Sequence, residues 1–201
     1  MNCRIPLDPV EVHTEVKRSR FLATVAHAPT ATEAQRVISA RRQQHPDANH
    51  VCWAFIAGVP GRTTALGCSD DGEPAGTAGK PMLNVLQHGD IGFVVAATVR
   101  YFGGTKLGTG GLVRAYTQSL VTALDALTTA PWRERTALKV SVPYATESTA
   151  RHLIDSHRAD IESVAYSDTV DFDLLVDADA CEPLINALNN ACAGQITVHG
   201  T

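Results

Sequence analysis

An α+β protein of two domains is the architecture this sequence predicts, and three observations carry it. Residues 91–99 are apolar almost without interruption, as in a central strand buried on both faces. Residues 109–127 place Leu112, Tyr116, Leu120, Ala123, Leu124 and Leu127 at intervals of three or four, the period of an amphipathic helix. Beyond a break at 128–135, the order strand, helix, strand occurs twice, which is the pattern of a ferredoxin-like βαββαβ domain.

The elements follow in order. Residues 10–16 alternate as VEVHTEV and residues 20–26 read RFLATVA, predicting an antiparallel pair around the Lys17, Arg18, Ser19 corner. Thr30 or Thr32 can cap a helix through residue 44, with Ala34, Val37, Ile38 and Arg41 at helical spacing and Pro46 forbidding continuation. Residues 50–57, HVCWAFIA, predict a strand closed by Gly58, Pro60 and Gly61. The stretch 69–79 is too rich in Gly, Pro and Asp to be regular. Thr77 or Ala78 then opens a helix through residue 87, with Pro81 tolerated in its first turn. The helix at 109–127 is expected to be roughly 28 Å long at about 1.5 Å per residue, enough to brace a sheet.

In 128–135, TTAPWRER, Pro131 and a charge cluster interrupt the hydrophobic period, dividing a first domain, 1–130, from a second, 136–201. Strands at 138–142, 161–166, 170–176 and 195–199, with helices at 146–157 and 180–192, make up the second domain.

With 201 residues, 44% of them hydrophobic, the chain can bury a real core. No apolar run approaches the roughly 20 residues of a membrane span, and residues 1–12 have no signal-peptide core, so a cytoplasmic protein is expected. Five scattered cysteines without a C-x-x-C pair point to reduced thiols. The net charge of −4 is uneven: residues 1–130 hold 12 basic against 10 acidic residues, and residues 131–201 hold 5 against 11. A nucleic-acid partner would therefore meet the first domain.

Most of the fifteen glycines fall between Gly72 and Gly111, in two loops that each border a helix start. Glycine lets backbone bend or approach a partner, and free amides at a helix start attract anions. Candidate anion or nucleic-acid contacts are Lys80, Arg100, Gly103, Gly104, Lys106, Gly108, Gly110, Gly111 and Arg114. Arg100 has a second reading, as a strut to Asp70 or Asp71 that ties the loops together. Asp70, Asp71 and Glu73 can structure their loop through turn and capping bonds, or hold magnesium. Gly79-Lys80 is not a P-loop, because Pro74 and Pro81 stand where glycine and Ser/Thr are required. Gly108-Thr109-Gly110 is not a dinucleotide fingerprint, because Val113 replaces its third glycine. His50 and Cys52 share a strand face, and beside Trp53 and Phe55 that cysteine reads as packing. No Ser or His stands in a hydrolase context, and no catalytic residue or cofactor is expected.

Four segments, KRSRFLA, HVCWAF, DDGEPAGTAGKP and RYFGGTKLGTGGLVRAY, in this order, resemble the IMPACT/YigZ-type family of translation-associated proteins. The likeness in motif covers about two thirds of the chain. Two positions depart from it: Ala75 stands where the family usually has serine, and Ile56 with Ala57 where many members carry arginine. The resemblance implies that the first domain has the ribosomal protein S5 domain 2-like fold and that the second is similar to a domain of translational elongation factors. It also implies a non-enzymatic protein that regulates translation by binding RNA, the ribosome or a translation factor through its first domain. The alternative is an enzyme acting on a phosphorylated small molecule or nucleotide through its glycine loops.

Overall fold

The computed structural model describes residues 3–199 and divides the chain into two units between Trp132 and Arg133. In the first unit β2 (Val10–Val16) and β3 (Ser19–His27) form a hairpin with Val16 opposite Ser19, so its loop is only Lys17 and Arg18. Both loop residues have positive φ, 49° and 65°, as a turn that follows the right-handed twist of its strands requires. These strands join β4 (His50–Ile56), β5 (Leu66–Ser69) and β6 (Val94–Tyr101) in a five-stranded antiparallel sheet of order β2-β3-β6-β4-β5.

As the apolar run predicts, β6 is central and buried on both faces. Val95 and Ala97 face α1 (Ala31–Gln44), where they meet Ala34 and Ile38; Val94 and Ala96 face α2 (Gly79–His88) and α3 (Thr109–Asp125), where they meet Met82, Leu86, Leu112 and Leu120. Of the two candidate caps the first helix uses Thr30, whose hydroxyl accepts from the Glu33 amide while the Glu33 carboxylate accepts from the Thr30 amide.

Three short strands lie outside what the sequence predicts. β1 (Cys3–Pro6) pairs with β7 (Thr129–Trp132), so half of the stretch read as a break belongs to the first unit's structure. Each is four residues long and contains a proline, which leaves no periodicity to recognise. β5 was likewise missed, because its Gly67 and small residues carry little strand signal.

The second unit runs β8 (Arg135–Val142), α4 (Glu147–Ser156), β9 (Asp160–Tyr166), β10 (Val170–Asp177), α5 (Cys181–Ala191) and β11 (Thr197–His199). Its sheet order, β11-β8-β10-β9, is antiparallel throughout, the arrangement two interleaved βαβ units produce. Ala150, Ile154, Leu184 and Leu188 of the helices cover Leu138, Val140, Phe172 and Leu174.

Candidate functional site

The two glycine-rich loops meet at one edge of the first unit, and each is anchored by chemistry of its own. The N-cap of helix α2 is Ala78, which offers no side-chain cap. Asp70, at the end of β5, does this from a distance: its carboxylate accepts from the amides of Gly76 at 2.7 Å, Ala78 at 2.9 Å and Gly79 at 2.8 Å. Burial alone would raise the Asp70 carboxyl; the three amide bonds outweigh it and hold the group below its ordinary value. A carboxyl held low by folding contributes stability above its unfolded pKa and loses it as pH falls through the folded one. Asp70→Ala is therefore expected to lose about 1–2 kcal/mol at neutral pH, as lost caps do. The deficit should shrink as pH drops below 3.8, where wild type loses the same interaction. Thermal melts of both proteins across that range check this.

Gly79 explains the GK pair without a phosphate: a Cβ there would lie 2.6 Å from the carbonyl of Ser69, so the helix start is pressed against β5. Asp71 accepts from Arg42 at 2.5 Å and from the Val51 amide at 2.7 Å, while its carbonyl accepts from His50 Nδ1 at 2.8 Å.

Glu73 is 7% exposed, and its Oε1 accepts from Arg100 at 2.6 Å and from the Tyr116 hydroxyl at 2.7 Å. The strut reading of Arg100 thus needs a correction of partner. The guanidinium does tie the loops together, but through Glu73 rather than Asp70 or Asp71, because Asp70 is committed to α2 and Asp71 to Arg42 and β4. Arg100 also donates to Ser19 Oγ at 3.3 Å and is 5% exposed, so it forms the floor of the site and not an open cation. Burial pushes the Tyr116 phenol upward, with Cys52 and Glu73 adding to it, and the group stays protonated as a donor. Burial likewise pushes the Cys52 thiol up to about 12, which excludes it as a nucleophile. Among the described residues no group of three or more His, Cys, Asp or Glu can hold a metal ion.

The second loop closes over this floor. A cleft of about 360 Å³ is lined by Glu73, Pro74, Arg100, Phe102, Lys106 and Gly108, with Leu107, Thr109 and Leu112 completing it. Helix α3 begins at this wall with Gly108 as its N-cap and no side-chain cap bond. Gly108 adopts φ 73° and ψ 164°, a region essentially reserved for glycine. A Cβ at Gly110 would meet nothing within 4 Å, so its bareness leaves the helix start accessible. A Cβ at Gly111 would lie 3.2 Å from Leu107 Cβ, and Gly104 has φ 83° in open space. Gly103 has a packing reason instead, because the backbone of Arg18 passes against it. A neighbouring cleft of about 540 Å³ shares Leu107 and is lined by Lys17, Gly111, Arg114 and Gln118.

Of the expected contacts, Lys106, Gly108 and the α3 start are thus brought together, Arg114 lies one cleft away, and Lys80 is exposed on α2 and lines neither. Both departures from the family pattern are placed as well: Ile56 is buried in the core beneath the helices, and Ala75 is exposed on the first loop. Tyr116, Ser19 and Phe102 escaped sequence reasoning. A tyrosine on the buried face of a helix needs a partner for its hydroxyl, and that was the available signal.

Residues 17–124 match the Impact N-terminal domain, and residues 140–195 match a domain of unknown function, DUF1949. An IMPACT family member of Haemophilus influenzae is 36% identical over 194 residues, 96% of this chain and 94% of that protein. The IMPACT family member YigZ of Escherichia coli is 50% identical over 125 residues, 62% of this chain and 61% of that protein. A crystal structure described as that of a hypothetical protein superposes with a TM-score of 0.72 at 36% identity, over 100% of this chain and 97% of that one.

Proposed function

From the premise that this chain belongs to the IMPACT family, we propose that it is a non-enzymatic protein that acts on translation by binding RNA or the ribosome through its first unit. The observation that carries the proposal is the cleft between the loops, where exposed Lys106 faces the uncapped start of α3. Unpaired amides at a helix start together with a cation favour an anion such as phosphate. Exposed Arg114 and Lys17 extend the positive surface into the adjoining cleft. The 5 basic against 11 acidic residues of 131–201 make the second region a poor place for a polyanion, which leaves the first unit as the binding face.

Lys106→Glu should weaken co-sedimentation with ribosomes or RNA and flatten the salt dependence, because fewer counterions are released. Its melting temperature should hardly move, since an exposed loop lysine contributes less than about 0.5 kcal/mol to folding. Unchanged association and an unchanged salt slope would reduce the loop to a structural element.

The cleft volume, within the range of small-molecule sites, favours one alternative, an enzyme acting on a phosphorylated small molecule or nucleotide. Turnover, together with a stoichiometric thermal shift from one nucleotide, would select it.

A further inference from the structure

Phe102 is 46% exposed, although it directly follows a strand whose other residues are buried or half-buried. Its position is nonetheless fixed. The Phe102 amide donates to Asn49 Oδ1 at 2.8 Å, and the Arg100 guanidinium carbon lies 5.6 Å from the ring centroid. Arg100 is itself immobilised by Glu73 and Ser19, and its buried Nε has no hydrogen-bond partner. The ring is therefore held against a buried cation while nearly half of the residue faces water, in the same cleft as Lys106 and the start of α3. Leaving a large apolar ring exposed gains nothing for folding, whereas an aromatic platform next to cations is what single-stranded nucleic acid requires.

We propose, resting on the RNA-binding role above, that Phe102 is a stacking platform for one unpaired base of single-stranded RNA. The phosphate next to that base is held by Lys106 and the α3 amides, and the strand continues past Leu107 toward Arg114 and Lys17. A duplex is excluded because its bases are already stacked and cannot reach a single ring. The second cationic cleft favours a strand over a mononucleotide, since one phosphate occupies only the first cleft.

The test is fluorescence anisotropy of the full chain with a short labelled uridine oligonucleotide, with an abasic oligomer of equal length, and with uridine monophosphate as competitor. Phe102→Ala is expected to bind the oligonucleotide at least about fivefold more weakly, the smallest change that loss of one base stack produces. Its salt slope should equal that of wild type, because no charge is lost. Phe102→Trp should bind like wild type, and all three proteins should bind the abasic oligomer alike. If Phe102→Ala binds as wild type does while Lys106→Glu is weakened, stacking is overturned and the RNA-binding role stands. An equal loss on the abasic oligomer would make the Phe102 effect structural and overturn stacking as well. Monophosphate competing as tightly as the oligonucleotide overturns the strand track. Wild type that binds no oligonucleotide overturns stacking, and overturns the underlying role as well if it also fails to co-sediment with ribosomes.

Discussion

Alanine at Gly103 is expected to be the most damaging small substitution in the first unit. A Cβ there would stand 2.0 Å from the carbonyl carbon of Arg18, 2.2 Å from its oxygen and 2.3 Å from the Ser19 amide nitrogen. These are backbone atoms of a two-residue hairpin, and no rotamer change can move them aside. Relief requires displacing either the hairpin or the loop. That motion also breaks the bond from the Gly103 amide to Ser19 Oγ at 3.1 Å and disturbs the contact of Ser19 with Arg100. Overpacking of this kind costs about 3 kcal/mol or more. Gly110→Ala serves as the control. Its Cβ meets nothing, and alanine is the better helix former by about 1 kcal/mol, so that variant should melt at or slightly above the wild-type temperature. Differential scanning calorimetry of the two decides; a Gly103→Ala protein as stable as Gly110→Ala would show that the close approach is not rigid.

Glu73→Ala is expected to rank next, at about 3–5 kcal/mol, because it leaves the Arg100 charge buried without a counterion. Tyr116 loses its acceptor at the same stroke. Arg100→Met alone strands the carboxylate instead. With both changed, neither orphan charge remains, so the double variant should be less destabilised than the two single losses added together, by about 0.5–3 kcal/mol. Urea denaturation of the four proteins measures the coupling, and simple additivity would mean that the pair does not act as a unit. Since Arg100 supports Phe102 and lines the cleft, Glu73→Ala should also weaken RNA binding, even though the exposed cations remain.

Most element boundaries were legible to within a few residues, for reasons that vary along the chain. Helix α1 announces itself through its threonine cap candidates, the spacing of Ala34, Val37 and Ile38 and the stop at Pro46, and α3 through a period that runs its whole length. The βαβ repeat of the second unit is legible because each strand there alternates core and surface, as β10 does from Val170 to Asp177. Strands β1 and β7 were not, since pairing between distant short segments leaves no local trace, and neither was β5, whose Gly67 and small residues carry little strand signal. At the site, the glycine loops and Lys106 could be named in advance, but the packing roles of Gly79, read only as part of a pair that fails the P-loop pattern, and of Gly103, read as an anion contact, could not. Both are bare because another backbone passes there, which is a long-range property.

By itself the sequence determined the α+β class, the two-part division, the central place of the apolar run 91–99 and the family, because periodicity, capping residues and motif order are local patterns. Tertiary structure alone decided which carboxylate meets Arg100, that Asp70 caps a helix beginning nine residues beyond it, and that Phe102 stands in a cationic cleft. Three acidic residues within four positions look equivalent in a string of letters. They become different only when the strand register sends Asp71 toward β4, Asp70 toward α2 and Glu73 into the core, where an unpaired charge could not remain.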